Sequence, residues 1–213
     1  MTGTVTASAG TTVRAMHPVL LTGPRLTIRE FHHVPRDVDA LHAIFGDPQT
    51  ARYLPFEPRD REDCADQVAL YLDEAEKQPR TVFRMAATLT EDGEDAVPLG
   101  NAVLGIEGTE AQRAAFIGYA LRRDAWGLGY ATEIARMLCD FAFGELGLHR
   151  LAARLDPANL ASARVLRKAG FQLEGRIRDD LHLRGEWHDA LQYSLLEHEW
   201  SPGGTTVGGA AGG

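Results

Sequence analysis

A Gly-x-Gly turn between a strand-like run and an amphipathic helix constrains the fold of this chain more than any other feature. Residues 114–121 are apolar enough for a buried strand, and Gly127 and Gly129 follow it. Over residues 130–145, apolar side chains recur at i, i+3, i+4 and i+7, which predicts a helix. Glycines at such a junction let the backbone approach an anion, and the first N–H groups of the helix point outward. The turn is either a phosphate-binding cradle or a tight connection.

The rest of the chain also alternates between strand-like and helix-like segments. Hydrophobic periodicity predicts seven strands, at residues 25–31, 81–89, 99–106, 114–121, 150–155, 171–177 and 190–196. It predicts four main helices, at residues 37–45, directly after Asp60, at 130–145 and at 159–169. Strands that precede and follow helices in this way predict an α/β or α+β fold, in which helices cover a sheet.

Composition limits the class of protein. The chain has 213 residues, 44% of them hydrophobic and 24% charged, which is typical of a globular domain and excludes wholesale disorder. Residues 1–20 and 201–213 are rich in small and polar residues without periodicity, which predicts flexible tails. We therefore expect one domain over residues 21–200.

Charge and special residue types narrow the function further. Lys and Arg total 22 against 30 Asp and Glu, and this net charge of −8 argues against nucleic acid or an anionic membrane as a partner. Cys64 and Cys139 are too few for a disulfide scaffold, and the eight histidines form no metal-binding pattern. No apolar stretch approaches the roughly 20 residues of a membrane span. These features predict a soluble, cytoplasmic protein without a metal site.

A second segment, residues 156–171, repeats the arrangement of a strand end followed by a helix start. Asn159 is suited to the N-cap of a helix, Ser162 lies in its first turn, and Gly170 stands where a left-handed C′ residue is typical. Taken alone, this segment is an ordinary capped helix. Together with the Gly-x-Gly turn, it places two helix N-termini at the ends of two strands, where ligands often bind in open α/β sheets.

The order and spacing of these motifs carry a resemblance to a known family. The motifs are Trp126-Gly-Leu-Gly-Tyr-Ala-Thr-Glu133 and Asn159-x-x-Ser162, the second followed by Lys168-Ala-Gly-Phe171 and Glu174-Gly175. They resemble the GNAT N-acetyltransferase superfamily. Leu26-Thr-Ile-Arg29 and His188-Asp-Ala-Leu-Gln-Tyr-Ser-Leu195 are similar to its ribosomal-protein-alanine (Rim-type) branch. The resemblance implies a GNAT fold: a mixed, mostly antiparallel sheet of about seven strands, splayed between the fourth and fifth, with helices on both faces and acetyl-CoA in the gap.

The resemblance also implies which residues bind acetyl-CoA. Backbone N–H groups of residues 126–131 would hold the pyrophosphate, and Asn159 would hydrogen-bond the pantetheine arm. Arg123, Arg164 and Lys168 are suited by charge and position to the outlying phosphates. The full predicted set comprises Leu121, Arg122, Arg123, Trp126, Gly127, Leu128, Gly129, Tyr130, Ala131, Asn159, Arg164 and Lys168.

For catalysis, the resemblance places Ser162 near the CoA sulfur, where its hydroxyl would stabilise or protonate the departing thiolate. The family often has a glutamate directly before Ile-Gly-Tyr on the fourth strand, whereas this chain has Phe116 there. Glu107 either replaces that base through a water or is a solvated loop carboxylate. Tyr119 is either a further catalytic residue or part of the cleft wall. Asp124 is a second departure, because the family often has Gln or Arg at the first position of the cradle.

The implied reaction is direct attack of a neutral amine on the acetyl-CoA thioester. Near pH 7.5, an α-amino group with a pKa of about 8 is roughly one quarter neutral, whereas a lysine side chain near 10.4 is about one part in a thousand neutral. A chain without the usual carboxylate therefore favours the less demanding amine, such as a protein N-terminus. A small-molecule amine, a larger acyl group, and a catalytically silent CoA sensor are the alternatives. We expect a monomer or homodimer.

Overall fold

The sheet and helices come from a computed structural model that describes residues 18–93, 95–109, 111–203 and 206–208. In this part of the chain the strands are β1 (Leu20–Thr22), β2 (Leu26–Glu30), β3 (Val82–Leu89), β4 (Gly100–Glu107), β5 (Ala114–Leu121), β6 (Arg150–Leu155), β7 (Gln172–Leu183), β8 (Glu186–Leu196) and β9 (Thr206–Gly208). The α-helices are α1 (Pro35–Phe45), α2 (Pro48–Ala51), α3 (Arg61–Glu76), α4 (Tyr130–Asp140) and α5 (Leu160–Lys168).

One sheet contains these strands in the order β7-β8-β6-β5-β4-β3-β2-β1-β9. Every neighbouring pair is antiparallel except β5 and β6, which are parallel and pair only from Ala114↔Arg150 to Phe116↔Ala152. From Ile117 to Leu121, β5 has no strand partner on that side, so the sheet opens toward the C-terminal ends of both strands. The predicted mixed sheet, splayed between its fourth and fifth predicted strands, is confirmed.

Helices cover both faces of the sheet, as predicted, because successive side chains of a strand point to opposite sides. On β5, Ala115, Ile117 and Leu121 belong to a hydrophobic core that includes Ile134 of α4. Ala120 belongs instead to a second core, formed with residues of α1 and α3. The opening between β5 and β6 is therefore flanked by α4 and α5 on one face and by α1 to α3 on the other.

Helix boundaries follow the capping chemistry of the sequence. Asp60 is the N-cap of α3, and its carboxylate accepts a hydrogen bond from the Asp63 N–H at 2.8 Å, as half of a reciprocal capping box. The predicted helix over residues 130–145 is α-helical only as far as Asp140. It continues as one π-helical turn over Phe141–Glu145, in which the Leu146 N–H donates to the Phe141 carbonyl at 3.1 Å.

The structure has two strands beyond the seven predicted, β1 and β9, and each includes at least one residue of a predicted tail. Val19, inside the predicted N-terminal tail, is 1% exposed, and Leu20 begins β1. Strand β9, inside the predicted C-terminal tail, pairs with β1. Both β1 and β9 have three residues, too few to show a period of two, so periodicity could not detect them. The predicted tails otherwise lie largely outside the described residues.

Candidate active site

The Gly-x-Gly turn forms a cradle of backbone N–H groups at the end of β5. A 3₁₀ turn, Arg123–Ala125, leads from the strand into the turn, and Gly129 is the N-cap of α4. Gly127 and Gly129 have φ values of 78° and 86°, a left-handed conformation that favours glycine. Within the described part of the chain, the N–H groups of residues 127–131 have no protein partner, whereas the Trp126 N–H, predicted with them, donates to the Arg123 carbonyl at 3.1 Å. A Cβ placed on Gly127 would meet no atom within 4 Å, so space for a ligand lies beside these donors.

Side chains of the turn fix its shape. The Trp126 indole Nε1–H donates to the Leu121 carbonyl at 2.9 Å, although the Trp126 side chain is half exposed. Asp124, the unusual anion at the first cradle position, accepts two hydrogen bonds from the Arg122 guanidinium, at 3.1 and 2.9 Å. The Asp124 carboxylate is therefore paired with a cation of its own loop, which offsets the repulsion expected between this carboxylate and a bound phosphate. The Arg122 side chain, predicted to bind cofactor, is committed to this pair.

Sequence reasoning missed two residues that contact the cradle from outside, Arg25 and Glu133. Glu133 lies in the first turn of α4 and accepts hydrogen bonds from the backbone and side chain of Arg25, which in turn reaches the Leu128 carbonyl. The two residues are 108 positions apart, so no local pattern links them. A carboxylate in the first turn of a helix is ordinarily explained by the helix dipole alone, so no feature of the sequence indicated that Glu133 contacts Arg25.

Helix α5 begins on the other side of the opening. The Asn159 side-chain carbonyl accepts a hydrogen bond from the Ser162 N–H at 3.0 Å, so Asn159 is an N-cap as predicted. Its amide nitrogen makes no hydrogen bond within the described chain and is available to a ligand. At the far end of α5, Gly170 has φ 98°, which confirms the predicted left-handed C′ residue.

A pair of hydroxyl groups joins β5 to α5 across the opening. The Tyr119 phenol oxygen and the Ser162 Oγ lie 3.0 Å apart, and either can be the donor. Burial raises the pKa of Tyr119 to about 12, although its hydrogen bond with Ser162 opposes the shift. Tyr119 is therefore protonated at neutral pH. The structure brings together these two residues of the predicted catalytic set.

Glu107, the third predicted catalytic residue, does not lie with them. The β4–β5 register pairs Glu107 with Ala114, which lies five positions before Tyr119 on β5. At roughly 3.4 Å per residue, Glu107 is therefore about 17 Å from Tyr119 along the strand. Since Ala114 and Tyr119 are an odd number of positions apart, their side chains also point to opposite faces. Glu107 is exposed at the hairpin end, so the alternative of a solvated carboxylate describes its position, and we do not retain it as the base.

The predicted phosphate cations are Arg123 in the turn after β5, Arg164 within α5 and Lys168 at the C-terminal end of α5. Arg123, Arg164 and Lys168 are exposed, and their side chains make no hydrogen bond or ion pair within the described residues. The charge of Arg123 acts on Asp47: against the effect of burial, hydrogen bonds from Thr50 lower the pKa of this carboxyl most, and Arg123 lowers it further. The roles of the three cations stay predictions, because exposed side chains of this length have many rotamers.

A cavity of about 220 Å³ borders the opening on the face that carries α1 to α3, and sequence reasoning did not anticipate it. It lies between residues 52–55, the C-terminal end of β6 and the β7–β8 hairpin. Arg184, at the hairpin tip with φ 55°, bridges the two walls. Its guanidinium donates to Glu57 Oε1 at 3.0 Å and to three backbone carbonyls at 3.3–3.4 Å, those of Ala51, Arg52 and Phe56.

Most of the charges that line this cavity are already paired. Asp180 accepts a hydrogen bond from Arg154 at 3.2 Å. Asp189 accepts hydrogen bonds from the Asp179 N–H and from Arg176, and both contacts hold the pKa of this carboxyl below its usual range. Asp156 accepts from the Ala158 N–H at 2.7 Å as the chain turns into α5. The cavity is lined by three arginines and three aspartates beside apolar side chains, so its charge is close to balanced rather than strongly anionic.

The two cysteines are buried and not suited to nucleophilic chemistry. Burial raises the pKa of the Cys64 thiol to about 11 and that of the Cys139 thiol further, so neither is a reactive thiolate. Among the described residues, no group of three or more His, Cys, Asp or Glu side chains is arranged to hold a metal ion. Over the same residues, none of the helices combines the length and the apolar character needed to span a bilayer.

Comparison with known proteins gives this geometry a family. The model of the acetyltransferase (GNAT) domain matches residues 25–172. The Bacillus licheniformis uncharacterized N-acetyltransferase p20 is 30% identical over 178 residues, which cover 83% of this chain and 96% of the relative. Mycobacterium smegmatis RimJ, solved in complex with CoA-disulfide, superimposes with a TM-score of 0.70 at 26% identity. The superposition includes 86% of this chain and 88% of the RimJ chain. The spermidine N-acetyltransferase from Vibrio cholerae, solved with CoA and spermine, shares the fold, with a TM-score of 0.69 at 19% identity. That superposition includes 83% of this chain and 98% of the Vibrio cholerae chain. The chain belongs to the GNAT acetyltransferase family, and RimJ is among the proteins to which it is similar.

Proposed function

We propose that this protein transfers the acetyl group of acetyl-CoA to a primary amine, and that the preferred acceptor is the α-amine of a protein or peptide N-terminus. The observation that carries the proposal is the juxtaposition at the opening between β5 and β6. On one side, the backbone N–H groups of residues 127–131 have no partner within the described chain. On the other, the Tyr119–Ser162 hydroxyl pair lies where the two strands have separated.

The residues of the opening fit CoA. Unpaired N–H groups at the start of α4 suit a pyrophosphate, because the helix dipole adds positive potential there. The free amide nitrogen of Asn159 suits an acceptor atom of the pantetheine arm. The unpaired edge of β5 beyond Phe116 offers further backbone groups to an extended ligand. Arg123, Arg164 and Lys168 are the side chains that we assign to the outlying phosphates.

Bound acetyl-CoA would supply the activated acyl group as a thioester. The amine nitrogen forms a bond to the carbonyl carbon, the carbon–sulfur bond breaks, and the surplus proton of the new amide leaves to solvent. Ser162 donates its hydroxyl proton to the departing sulfur, the Tyr119 hydroxyl, 3.0 Å away, replaces that proton, and Tyr119 takes one from solvent, which balances the proton released from the nitrogen. Because burial keeps Tyr119 protonated, this pair is a proton donor rather than a base. Positioning then supplies much of the rate enhancement.

Two observations favour an α-amine over a more basic amine. Among the residues that the structure describes, no carboxylate is hydrogen-bonded to Tyr119 or Ser162, so these residues offer no strong base there. An acceptor with a pKa of about 8 needs the least help to lose its proton. The cavity beside the opening, about 220 Å³, suits the first residue or two of an extended chain.

A small polyamine is the second candidate. Asp156, Asp180 and Asp189 line the cavity, and acidic side chains can bind a cationic acceptor. The pairing of these carboxylates with Arg154, Arg176 and backbone N–H groups weakens this alternative, because it leaves little net negative charge.

The deciding experiment is thiol release from acetyl-CoA with a panel of amines. The panel contains short peptides with a free α-amine, the same peptides Nα-acetylated but carrying a lysine, and spermidine. We expect turnover with the first group. Preference for spermidine would support the polyamine acceptor instead. CoA binding without turnover of any amine would identify a sensor.

A further inference from the structure

Arg25 approaches the cradle from the side opposite the opening. It lies directly before β2, three strands away from β5, and α4 packs between β2 and α5. Its Nη1 donates to the Leu128 carbonyl at 3.0 Å, and its guanidinium lies over the Tyr130 ring, 4.7 Å from the centroid. One side chain thus contacts the residues on either side of Gly129. A Cβ on Gly129 would itself lie 3.5 Å from Nη2.

Glu133 fixes Arg25 in this orientation. Its Oε2 accepts the Arg25 Nε–H at 2.8 Å. Its Oε1 accepts the backbone N–H groups of Arg25 and Leu26, at 2.8 and 3.1 Å. The Glu133 side chain is 11% exposed, so solvent competes weakly for these bonds. The contact therefore ties the first turn of α4 to the start of β2 and leaves the Arg25 guanidinium one preferred position.

The hydrogen bond to Leu128 determines where a cradle donor points. In a trans peptide unit, the carbonyl of one residue and the N–H of the next point in opposite directions. The Leu128 carbonyl points to Arg25, so the Gly129 N–H points away from Arg25. At positive φ, Gly129 has the conformational freedom to turn this peptide the other way. Arg25 removes that freedom.

We propose that Arg25, held by Glu133, is a positioning residue for CoA: it orients the Leu128–Gly129 peptide so that the Gly129 N–H faces the pyrophosphate. The inference rests on the proposed function, because it assigns the cradle to CoA. Arg25 acts through the peptide group and not through contact with the acyl group. Its loss should therefore weaken cofactor binding and leave the chemical step nearly unchanged.

The test compares Arg25→Ala, Arg25→Lys and Glu133→Gln with the parent protein. Calorimetric titration with CoA gives the dissociation constant, and steady-state kinetics with acetyl-CoA and with acetyl-pantetheine, which lacks the pyrophosphate, give kcat and KM. Arg61→Ala is the matched control, because Arg61 makes an exposed ion pair with Asp39 remote from the cradle. All proteins are compared by melting temperature.

We expect Arg25→Ala to raise the CoA dissociation constant about tenfold, with kcat within about threefold of the parent and no change toward acetyl-pantetheine. Arg25→Lys should recover little of the lost CoA affinity, because an ammonium group cannot bind Glu133 and the Leu128 carbonyl in the same fork geometry. Arg61→Ala should behave as the parent.

The proposal would be overturned by unchanged CoA affinity in Arg25→Ala, by full recovery of that affinity in Arg25→Lys, or by equal losses of activity toward both thioesters. If Arg25→Ala does not fold, Glu133→Gln and Arg25→Lys give the same comparison. Failure of the proposed function would appear separately, as absence of turnover in the parent.

Discussion

The Tyr119 phenol oxygen and the Ser162 Oγ lie 3.0 Å apart and connect β5 to α5 at the point where the sheet opens. Elsewhere, a buried tyrosine near a strand end would only fill the core. Here its hydroxyl pairs with a serine in the first turn of a helix, whose N-terminus stabilises a developing negative charge. The pair is therefore suited to donate a proton toward a departing thiolate, and its two members can be tested separately.

Replacement of Ser162 should affect the chemical step and not cofactor binding. Ser162→Ala removes the hydroxyl without loss of helix propensity, so the fold should survive. We expect kcat to fall about tenfold to a thousandfold, with a nearly constant CoA dissociation constant. Kinetics and calorimetry on proteins of matched melting temperature measure both. Tyr119→Phe should cause a smaller loss, and in the Ser162→Ala background it should add little. An undiminished kcat in Ser162→Ala would exclude the hydroxyl from the mechanism.

The pH profile should report the acceptor and not Tyr119. Because burial raises the pKa of Tyr119 to about 12, its protonated form persists well above neutral pH. With an α-amine acceptor, kcat/KM should rise about tenfold per pH unit below pH 8 and then level off, without a falling limb below about pH 10. The measurement is kcat/KM from pH 6 to 10 with a short peptide. A decline between pH 8 and 10 would show that a needed proton donor titrates there.

The cradle glycines should be necessary for ligand stabilisation. Acetyl-CoA at one hundred times its dissociation constant should stabilise the parent by about 2.7 kcal/mol, whereas adenosine should have little effect. Gly129→Val should abolish this shift, because a β-branched residue is strained at φ 86° and the peptide must reorient. Gly93→Val is the control, since Gly93 has φ 72° and open space around it. Thermal unfolding with and without ligand measures the shift. Equal shifts in Gly129→Val and the parent would contradict the cradle.

The two functions assigned to Asn159 can be separated by the choice of substitution. Its carbonyl oxygen caps α5, whereas its amide nitrogen is free for the cofactor. Asn159→Ser retains a good capping oxygen but removes the amide donor, so it should keep stability and weaken CoA binding several-fold. Asn159→Ala should lose both, with a stability loss of about 1 kcal/mol. Thermal unfolding and CoA titration distinguish these results. If Asn159→Ser binds CoA like the parent, the residue is a cap only.

Much of the fold could be predicted because its signals are local. The predicted bounds of β5 and β6 agree with the observed strands, and the Asn159 cap and the left-handed Gly170 follow from residue chemistry over a single turn. The opening between β5 and β6 was a different kind of prediction. It came from resemblance, because no local pattern states where two parallel strands separate.

The errors of prediction concern contacts between distant segments. Glu107 ends its strand as expected, but the register of the β4–β5 pair decides how far that end lies from Tyr119. The Arg25–Glu133 contact and the cavity bridged by Arg184 both join segments more than 100 residues apart. The positions of such residues in the sequence do not give the distance between them, which depends on the folded structure.

Arg184 should determine acceptor selectivity, because it bridges the two walls of the cavity assigned to the acceptor. Arg184→Asn removes the guanidinium and its bonds to Glu57 and the 51–56 carbonyls, and Asn tolerates the left-handed conformation of the turn. We expect KM for a peptide acceptor to rise about fivefold or more, with unchanged KM for acetyl-CoA, because the cradle lies on the other face of the sheet. Discrimination among peptides that differ in their second residue should weaken. Arg178→Asn, on the same hairpin and without a side-chain hydrogen bond in the described chain, is the control. If both variants keep the parent's acceptor KM and selectivity, the acceptor does not use this cavity.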